Sequence, residues 1–230
     1  MRDAADELVA RHGPEVVVAA LRPILSDERM ARIESVLDAR LAGLTIVVEN
    51  LYDPHNGAAA VRSAEAFGLV AVHAVEATGR FTASPAVTIG CDKWIDLHRH
   101  PDVAAARAAL PGMIHVAAAP GAGTTVDDLP AGAPCAFWFG NEHDGLSAEA
   151  LAACSHRVEI PMFGFTRSFN LSVSAALILA RASERRRAAL GQAGDLPAEE
   201  RARRRARWYA QDIRGAEEII ERHVSKQTRD

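Results

Sequence analysis

An unbroken run of apolar and β-branched residues occupies positions 44–49 (Leu-Thr-Ile-Val-Val-Glu). Such a run is typical of a strand buried on both faces of a parallel sheet. Five more short apolar runs follow, and Ala-rich stretches with helix-capping residues lie between several of them. This alternation predicts an α/β fold, a parallel sheet with helices on both faces. The predicted strands lie at 44–49, 70–75, 93–97, 113–118, 135–139 and 157–160, and the predicted helices end at Phe67, run over 101–110, follow Ser147, and lie between Asn170 and Gly191.

Both ends of the chain predict helices outside this α/β pattern. Residues 3–41 are helical in pattern with a break at Arg22-Pro23, and an Arg-rich helix at 198–224 follows a short linker at 192–197. We therefore expect a helical N-terminal extension (1–42), an α/β domain (43–191) and an Arg-rich helical C-terminal extension (192–230). Two roles stay open for the N-terminal extension. It could serve packing or dimer formation, or it could contact RNA through its arginines.

The composition is that of an ordinary globular protein, with 49% apolar but only 5% aromatic residues among 230. Three cysteines (Cys91, Cys135 and Cys154) lie far apart without a C-x-x-C pair, which argues against a disulfide framework or a zinc knuckle. No apolar run reaches the length of about 18–20 residues that a membrane span needs. The N-terminus is acidic, unlike a signal peptide. These features predict a soluble cytoplasmic protein.

The charge is unevenly distributed along the chain. A net charge of −4 and a pI near 6.1 argue against the whole-molecule basic field that many nucleic-acid binders have. A local basic patch is nevertheless predicted, on which salt-dependent RNA binding would rest. Its nine arginines are 181, 185, 186, 187, 201, 203, 204, 205 and 207.

Residues 161–180 have the pattern of a binding site. Pro161 and Gly164 interrupt the loop after the sixth strand, and Ser168 and Asn170 open a helix rich in Ala, Leu and Ser. Unpaired N–H groups and the positive end of the dipole at such a helix start suit a polar or anionic ligand. A role of these two side chains as helix caps alone is the structural alternative.

Two other loops that leave strand ends carry unusual side chains. In the first, Asp53-Pro54-His55-Asn56, Pro54 presets a turn and Asn56 can cap the next helix. Arg62 lies on this Ala-lined helix, from which it could reach an anion. In the second, glycines 140 and 145 bracket Glu142, which allows close approach of the backbone to a ligand. The carboxyl ends of parallel strands are the usual place for such sites. No second ligand pair accompanies Glu142 and His143, so a metal site is not predicted.

Taken together and in order, these stretches resemble the three motifs of the SpoU/TrmH branch of the SPOUT RNA 2′-O-ribose methyltransferases. Residues 50–62 resemble motif 1 (N-x-x-D-P-x-N…R), residues 139–147 resemble motif 2 (F-G-x-E-x-x-G-L-S), and residues 160–176 resemble motif 3 (I-P-M-x-G-x-x-x-S-x-N-x-S-x-x-A-A). Within this family, His55-Asn56 and the arginines after motif 3 look more like the group that methylates guanosine in tRNA. Phe169 stands where the family usually has Leu.

The resemblance implies a C-terminal deep trefoil knot, which is a rare exception to unknotted topology. It also implies that S-adenosylmethionine binds in the knot between the loops after strands four, five and six, that the protein is a homodimer with sites at the subunit interface, and that no metal takes part. The residues implied to bind this cofactor are Ala118, Gly140, Ile160, Met162 and Phe169.

By the same resemblance, Arg62 acts on the ribose 2′-OH with support from Asn56. Guanidinium groups stay protonated in proteins, so we expect Arg62 to orient the RNA and stabilise developing negative charge rather than to act as a base. Because sites in the family form at a dimer interface, the resemblance leaves open whether Arg62 serves the cofactor pocket of its own chain or that of the partner subunit. The implied catalytic group is Arg62, Asn56, Glu142, Ser168 and Asn170, and the implied RNA-binding residues are His55, Arg185 and Arg186.

The predicted function is therefore methyl transfer from S-adenosylmethionine to a ribose 2′-OH of RNA, with a D-loop guanosine of tRNA as the expected target. Ribosomal RNA or another tRNA ribose is the alternative substrate. An RNA-binding module without activity is the alternative of another class, although the intact polar residues of the motifs argue against it. A dehydrogenase is disfavoured because no G-x-G-x-x-G follows the first strand.

Overall fold

The structure is a computed structural model that describes residues 2–51, 53–77, 90–141 and 143–227. These residues form two compact units, one of residues 41–194 and one that joins residues 1–40 with 195–230. The terminal segments, expected as two extensions, thus belong to one unit. The predicted assignment of residues 43–191 as the methyltransferase domain, with two terminal extensions, stays a prediction.

The larger unit contains a six-stranded sheet in the order β3-β2-β1-β5-β4-β6, in which every neighbouring pair is parallel. This confirms the predicted α/β class. Strand β1 is buried at all six positions, as its continuous apolar run predicted. The strands are β1 (Leu44–Glu49), β2 (Ala71–Val75), β3 (Asp96–His100), β4 (Ile114–Ala118), β5 (Cys135–Phe139) and β6 (His156–Val158).

The third strand begins three residues later than predicted. Gly90 has a φ of 78° and introduces a 3-10 turn, Cys91–Lys93, so this segment cannot pair with β2. Pairing starts at Asp96 opposite Ala71. The apolar pattern around Ile95, which is 1% exposed, reflects packing before the strand rather than the strand itself.

Helices cover both faces of the sheet. Ile46 and Val48 of β1 pack in a cluster with residues of α4 and α7, whereas Val47 between them packs with α5 and α6 on the other face. This alternation follows from the two-residue period of side chains along a strand. The helices of this unit are α4 (Pro54–Ala66), α5 (Val103–Ala108), α6 (Ala148–Ala153) and α7 (Leu171–Leu190).

The smaller unit is helical. The predicted break at Arg22-Pro23 is a 3-10 turn, and Ser26 caps the next helix by accepting a hydrogen bond from the Arg29 N–H at 3.2 Å. The predicted single Arg-rich helix is two helices, because Gly215, with a φ of 75°, follows the end of the first. Within the described residues, no helix is long and apolar enough to cross a membrane. The helices are α1 (Arg2–His12), α2 (Pro14–Leu21), α3 (Asp27–Asp38), α8 (Ala198–Asp212) and α9 (Ala216–Gln227).

A histidine lies buried at one side of the sheet. His73 on β2 is 6% exposed, and its Nδ1 lies 2.9 Å from His100 Nε2 on β3. Burial, followed by the charges of His98 and His100, lowers the pKa of His73 from 6.5 to about 3. The folded protein therefore holds this side chain neutral over a range in which the unfolded chain binds a proton.

This difference predicts acid sensitivity. Because the pKa is depressed on folding, stability is complete above about pH 6.5 and is lost as the pH falls toward about 3. Between about pH 7.5 and pH 5 we expect the free energy of unfolding to fall by about 2 kcal/mol more in the wild type than in His73→Gln. Urea unfolding across this range measures the difference, and the substitution His55→Gln at an exposed position serves as control. Equal pH slopes in the wild type and His73→Gln would contradict the prediction.

Candidate functional site

A cavity of about 550 Å³ lies at the carboxyl ends of β4, β5 and β6. The crevice beyond the carboxyl ends of strands is where parallel α/β sheets bind ligands, and this volume suits a nucleoside-sized molecule. Its walls come from three loops and from the start of α7. The lining residues are Ala118, Ala119, Pro120, Phe139, Gly140, Asn141, His143, Asp144, Gly145, Leu146, Val158, Glu159, Ile160, Met162, Ser168, Phe169, Asn170, Leu171, Ser174 and Ile178.

All five residues that the family resemblance implied for the cofactor line this one cavity. Ala118 ends β4, Gly140 follows β5, and the other three follow β6. Ser168 and Asn170 line it as well. Glu142, the remaining residue predicted in this loop region, lies outside the described residues. Whether these residues bind a cofactor stays a prediction.

The loop after β5 is folded back tightly on itself. A Cβ on Gly140 would overlap the backbone of Gly145 and Leu146, so only glycine fits there. The Gly145 N–H donates to the Asn141 carbonyl at 3.1 Å, and Asn141 Oδ1 accepts from the N–H groups of His143 and Asp144 at 2.9 and 2.8 Å. The loop is thereby preorganised as one wall of the cavity.

Asn170 connects the first and third motifs. It caps α7, since its Oδ1 accepts from the Ser172 N–H at 2.9 Å and from the Ser172 hydroxyl at 2.6 Å. Its Nδ2 donates to Asn56 Oδ1 at 3.0 Å. The capping role and the site role, which the sequence left as alternatives, therefore belong to the same side chain. Asn56, which does not line the cavity, is held at its mouth.

The rest of the first motif is arranged around the start of α4. Asp53 caps this helix by accepting from the His55 N–H at 2.8 Å, and Pro54 occupies the first turn. The side chains of His55 and Arg62 are exposed. Arg62 is not among the residues that line the cavity of its own chain. The structure thus places Ser168 and Asn170 on the cavity and bonds Asn56 to Asn170, whereas Arg62 does not line it.

The arginines directly after the third motif hold the fold. Arg185 donates to Asp127 Oδ1 at 3.2 Å and to the Leu129 carbonyl at 2.9 Å. Arg186 is 7% exposed, donates to the Gly132 carbonyl at 2.6 Å, and lies against Gly43, where a Cβ would overlap its guanidinium. A guanidinium buried in this way cannot reach RNA phosphate. This placement speaks against the RNA contact predicted for Arg186. Arg185 keeps 24% of its side chain exposed, and its RNA contact stays a prediction.

The predicted basic patch is likewise neutralised in the helical unit. Arg201 and Arg205 both pair with Glu34. Their hydrogen bonds hold the pKa of the Glu34 carboxyl below its ordinary value, and Arg205 has the larger effect of the two. The side chains of Arg204 and Arg207 are only 4% and 7% exposed, and they pair with Glu200 and Asp6 respectively.

Each of the nine arginines has a carboxylate or carbonyl partner. The arginines are thus paired within the fold, although Arg181 and Arg203 keep 48% and 59% of their side chains exposed. Those not yet described are Arg181 with Asp127 and Glu184, Arg187 with the carbonyls of Phe67 and Ala193, and Arg203 with Glu200.

Sequence reasoning missed two features of this region. Glu49 is 3% exposed at the end of β1 and accepts two hydrogen bonds from Ser147, at the far end of the loop after β5. The only signal was an acidic residue closing an apolar strand. Ser174 and Ile178 line the cavity from α7, and neither was predicted as a site residue. In the described part of the chain, no group of three or more His, Cys, Asp or Glu side chains could hold a metal ion.

Comparison with known proteins places these observations in context. A sequence model described as the SpoU rRNA Methylase family matches residues 43–180. The chain is 36% identical over 165 residues to the tRNA (guanosine(18)-2′-O)-methyltransferase of Borreliella burgdorferi, an alignment that covers 70% of this chain and 76% of that protein.

The fold is similar to those of solved SpoU-type enzymes. The TrmH/SpoU tRNA modifying enzyme of A. aeolicus superposes with a TM-score of 0.72 at 24% identity and covers 82% of this chain and 98% of that one. The SpoU methyltransferase AviRb from Streptomyces viridochromogenes, solved in complex with the cofactor AdoMet, has a TM-score of 0.55 at 25% identity and covers 66% of this chain and 61% of that one.

Proposed function

The chain belongs to the SpoU rRNA Methylase family, and from that premise we propose that it methylates the ribose 2′-OH of a D-loop guanosine in tRNA, with S-adenosylmethionine as methyl donor. One observation carries this proposal beyond the family. The hydrogen bond from Asn170 to Asn56 joins motif 1 to motif 3 beside the cavity. A methyl donor bound in the cavity and an RNA ribose bound next to it would therefore contact the same two side chains.

The cavity fits the proposed donor. Its apolar side chains, Ile160, Met162 and Phe169 among them, suit an adenine ring. Ala118 and Gly140 line the same cavity, and the absence of a side chain on Gly140 lets a ligand approach the backbone closely. When bound, S-adenosylmethionine supplies an electrophilic methyl group on a sulfonium, and the chain supplies its alignment with the incoming oxygen.

The residues of this chain divide the remaining work. Asn170, fixed by Ser172 and Asn56, holds the mouth of the cavity, and Ser168 presents a hydroxyl there. Arg62 orients the ribose and its phosphate and stabilises negative charge that develops on the 2′-oxygen. Because each of the nine clustered arginines already has a partner within the fold, RNA phosphates also bind to exposed cations outside this cluster. Arg167, which is exposed directly beside Ser168, is one of them.

The protein acts as a homodimer in this proposal. Val173 and Leu177, one turn apart on α7, are 43% and 44% exposed, and Phe163 and Phe165 in the preceding loop are 99% and 108% exposed. We call these four residues the apolar strip. Exposed apolar patches of this kind mark contact surfaces. A second copy that covers the strip brings its own Arg62 toward this cavity, which accounts for the separation of Arg62 from the cavity of its own chain.

A knot in the C-terminal part of the α/β unit is also part of the proposal. The chain that leaves β4 bonds to the chain around the end of β6: the Glu159 N–H donates to the Thr124 carbonyl at 2.8 Å, and the Gly121 N–H donates to Glu159 Oε2 at 2.7 Å. These bonds support a closed loop at 119–125 through which the segment leading to α7 is threaded.

Transfer of a tritiated methyl group to unmodified transcripts tests the function. We expect label to enter tRNA and the modified position to map to the D-loop guanosine. The matched control is the same tRNA with a single 2′-deoxyguanosine at that position, which removes only the acceptor hydroxyl and is expected to take no label. Label that enters ribosomal RNA in preference to tRNA, or persists in the deoxy control, would contradict the proposal.

A further inference from the structure

Within the described part of the chain, Glu49 is a buried carboxylate that no Lys, Arg or His pairs with. It is the last residue of β1 and is 3% exposed, and among the described residues its hydrogen-bond partner is Ser147 alone. The Ser147 N–H donates to Oε2 at 2.8 Å and the Ser147 hydroxyl donates to Oε1 at 2.6 Å. Burying a carboxylate in this way costs stability relative to an apolar side chain. A role beyond packing would explain its presence.

Its partner stands at the end of the loop that forms one wall of the cavity. The Ser147 hydroxyl also accepts from the Ala150 N–H at 3.0 Å and thereby caps α6. The loop at 140–146 is fixed at its start, because β5 pairs with β1 and β4. At its other end it is fixed by Glu49 through Ser147. Six residues of this loop region line the cavity, whereas Glu49 itself does not.

We propose that Glu49 is a positioning residue for the methyl donor. By anchoring Ser147 to the end of the central strand, it holds the cavity-lining residues after β5 (140, 141 and 143–146) in the shape that the cofactor requires. The inference rests on the proposed function. Glu49 acts only through Ser147 and the loop. Because Asn50 and the first motif follow it directly in the chain, the same residue also ties the motif 1 loop to the motif 2 loop.

Substitutions at both ends of the contact test this role. We expect Glu49→Ala to raise the dissociation constant and the KM for S-adenosylmethionine by about tenfold, since two charge-assisted hydrogen bonds are lost. At saturating cofactor, kcat should stay within about twofold of the wild type. Glu49→Gln keeps one oxygen acceptor and a polar group of equal size and should restore much of the affinity.

Ser147→Ala removes the other partner and should weaken cofactor binding in the same direction. The double variant Glu49→Ala/Ser147→Ala should bind S-adenosylmethionine as tightly as the single variant with the lower affinity, because both substitutions remove the same contact. Val103→Ala, in the apolar cluster beneath the same face of the sheet, is the matched control. It should lower the melting temperature while leaving the cofactor dissociation constant unchanged.

Calorimetric titration of each purified full-length variant with S-adenosylmethionine, with melting temperatures measured alongside, separates the outcomes. A Glu49→Ala protein that is less stable but binds the cofactor as tightly as the wild type would overturn the positioning role. If Glu49→Ala does not fold, the Ser147→Ala titration decides in the same way. A wild-type protein that binds no S-adenosylmethionine would instead overturn the proposed function.

Discussion

Replacing Arg62 by alanine is expected to lower the rate of methyl transfer to tRNA by about 10²–10³-fold, the usual effect of removing one group that stabilises developing charge. The affinity for S-adenosylmethionine should stay within about twofold, because Arg62 is exposed on α4 and lies outside the cavity. Single-turnover methylation and cofactor titration measure the two quantities. Arg62→Lys is the matched variant, since it keeps the charge but loses the planar fork of donors. Turnover retained in Arg62→Ala would remove this residue from the mechanism.

Mixing two inactive proteins distinguishes which subunit supplies Arg62. One carries Arg62→Ala and the other carries Gly140→Val, whose side chain would overlap the backbone of Gly145 and close the cavity. If each site combines the cavity of one chain with the Arg62 of its partner, the mixed dimer has one intact site, and about a quarter of wild-type activity returns after subunit exchange. If both come from the same chain, mixing restores nothing. The second result would contradict the shared site.

A charge placed in the apolar strip is expected to separate the dimer. Leu177 is 44% exposed on α7, and by two-fold symmetry Leu177→Glu introduces two carboxylates into one interface. Burial of unpaired charge costs several kcal/mol, so the dimer dissociation constant should rise by about 10³-fold, and methyl transfer should be lost with it. Sedimentation velocity across a concentration series measures the shift, and activity is assayed at the same concentrations.

The control for this experiment is Ile24→Glu. Ile24 is a large apolar side chain with 52% exposure that belongs to the helical unit and not to the strip. It should leave both assembly and activity unchanged. A wild-type protein that sediments as a monomer at micromolar concentration, or a Leu177→Glu protein that remains dimeric, would contradict the proposed dimer.

The fold class and the family were predictable because their signals are local. The unbroken run at 44–49 indicates a strand buried on both faces, and Ser147 and Asn170 mark helix starts because their side chains accept from N–H groups two or three residues away. The cap of α4 is Asp53 and not the predicted Asn56. The order of three motifs identified the family, which is confirmed by the match over residues 43–180. The start of β3 was misplaced because a 3-10 turn and a strand share the same apolar pattern near Ile95.

The function of the charges, by contrast, was decided by tertiary structure. Nine clustered arginines look like an RNA-binding patch in the sequence, yet Glu34 pairs with Arg205 from 171 positions away and Asp127 pairs with Arg181 from 54. The Asn56–Asn170 contact spans 114 positions and the Glu49–Ser147 contact spans 98. A strand or a cap depends on a few neighbouring residues, whereas the partner of a charged or amide group depends on which segments the fold brings together. The sequence by itself therefore determined the sheet, the helix starts and the family, and only the folded chain decided which polar groups stabilise the protein and which face the cavity.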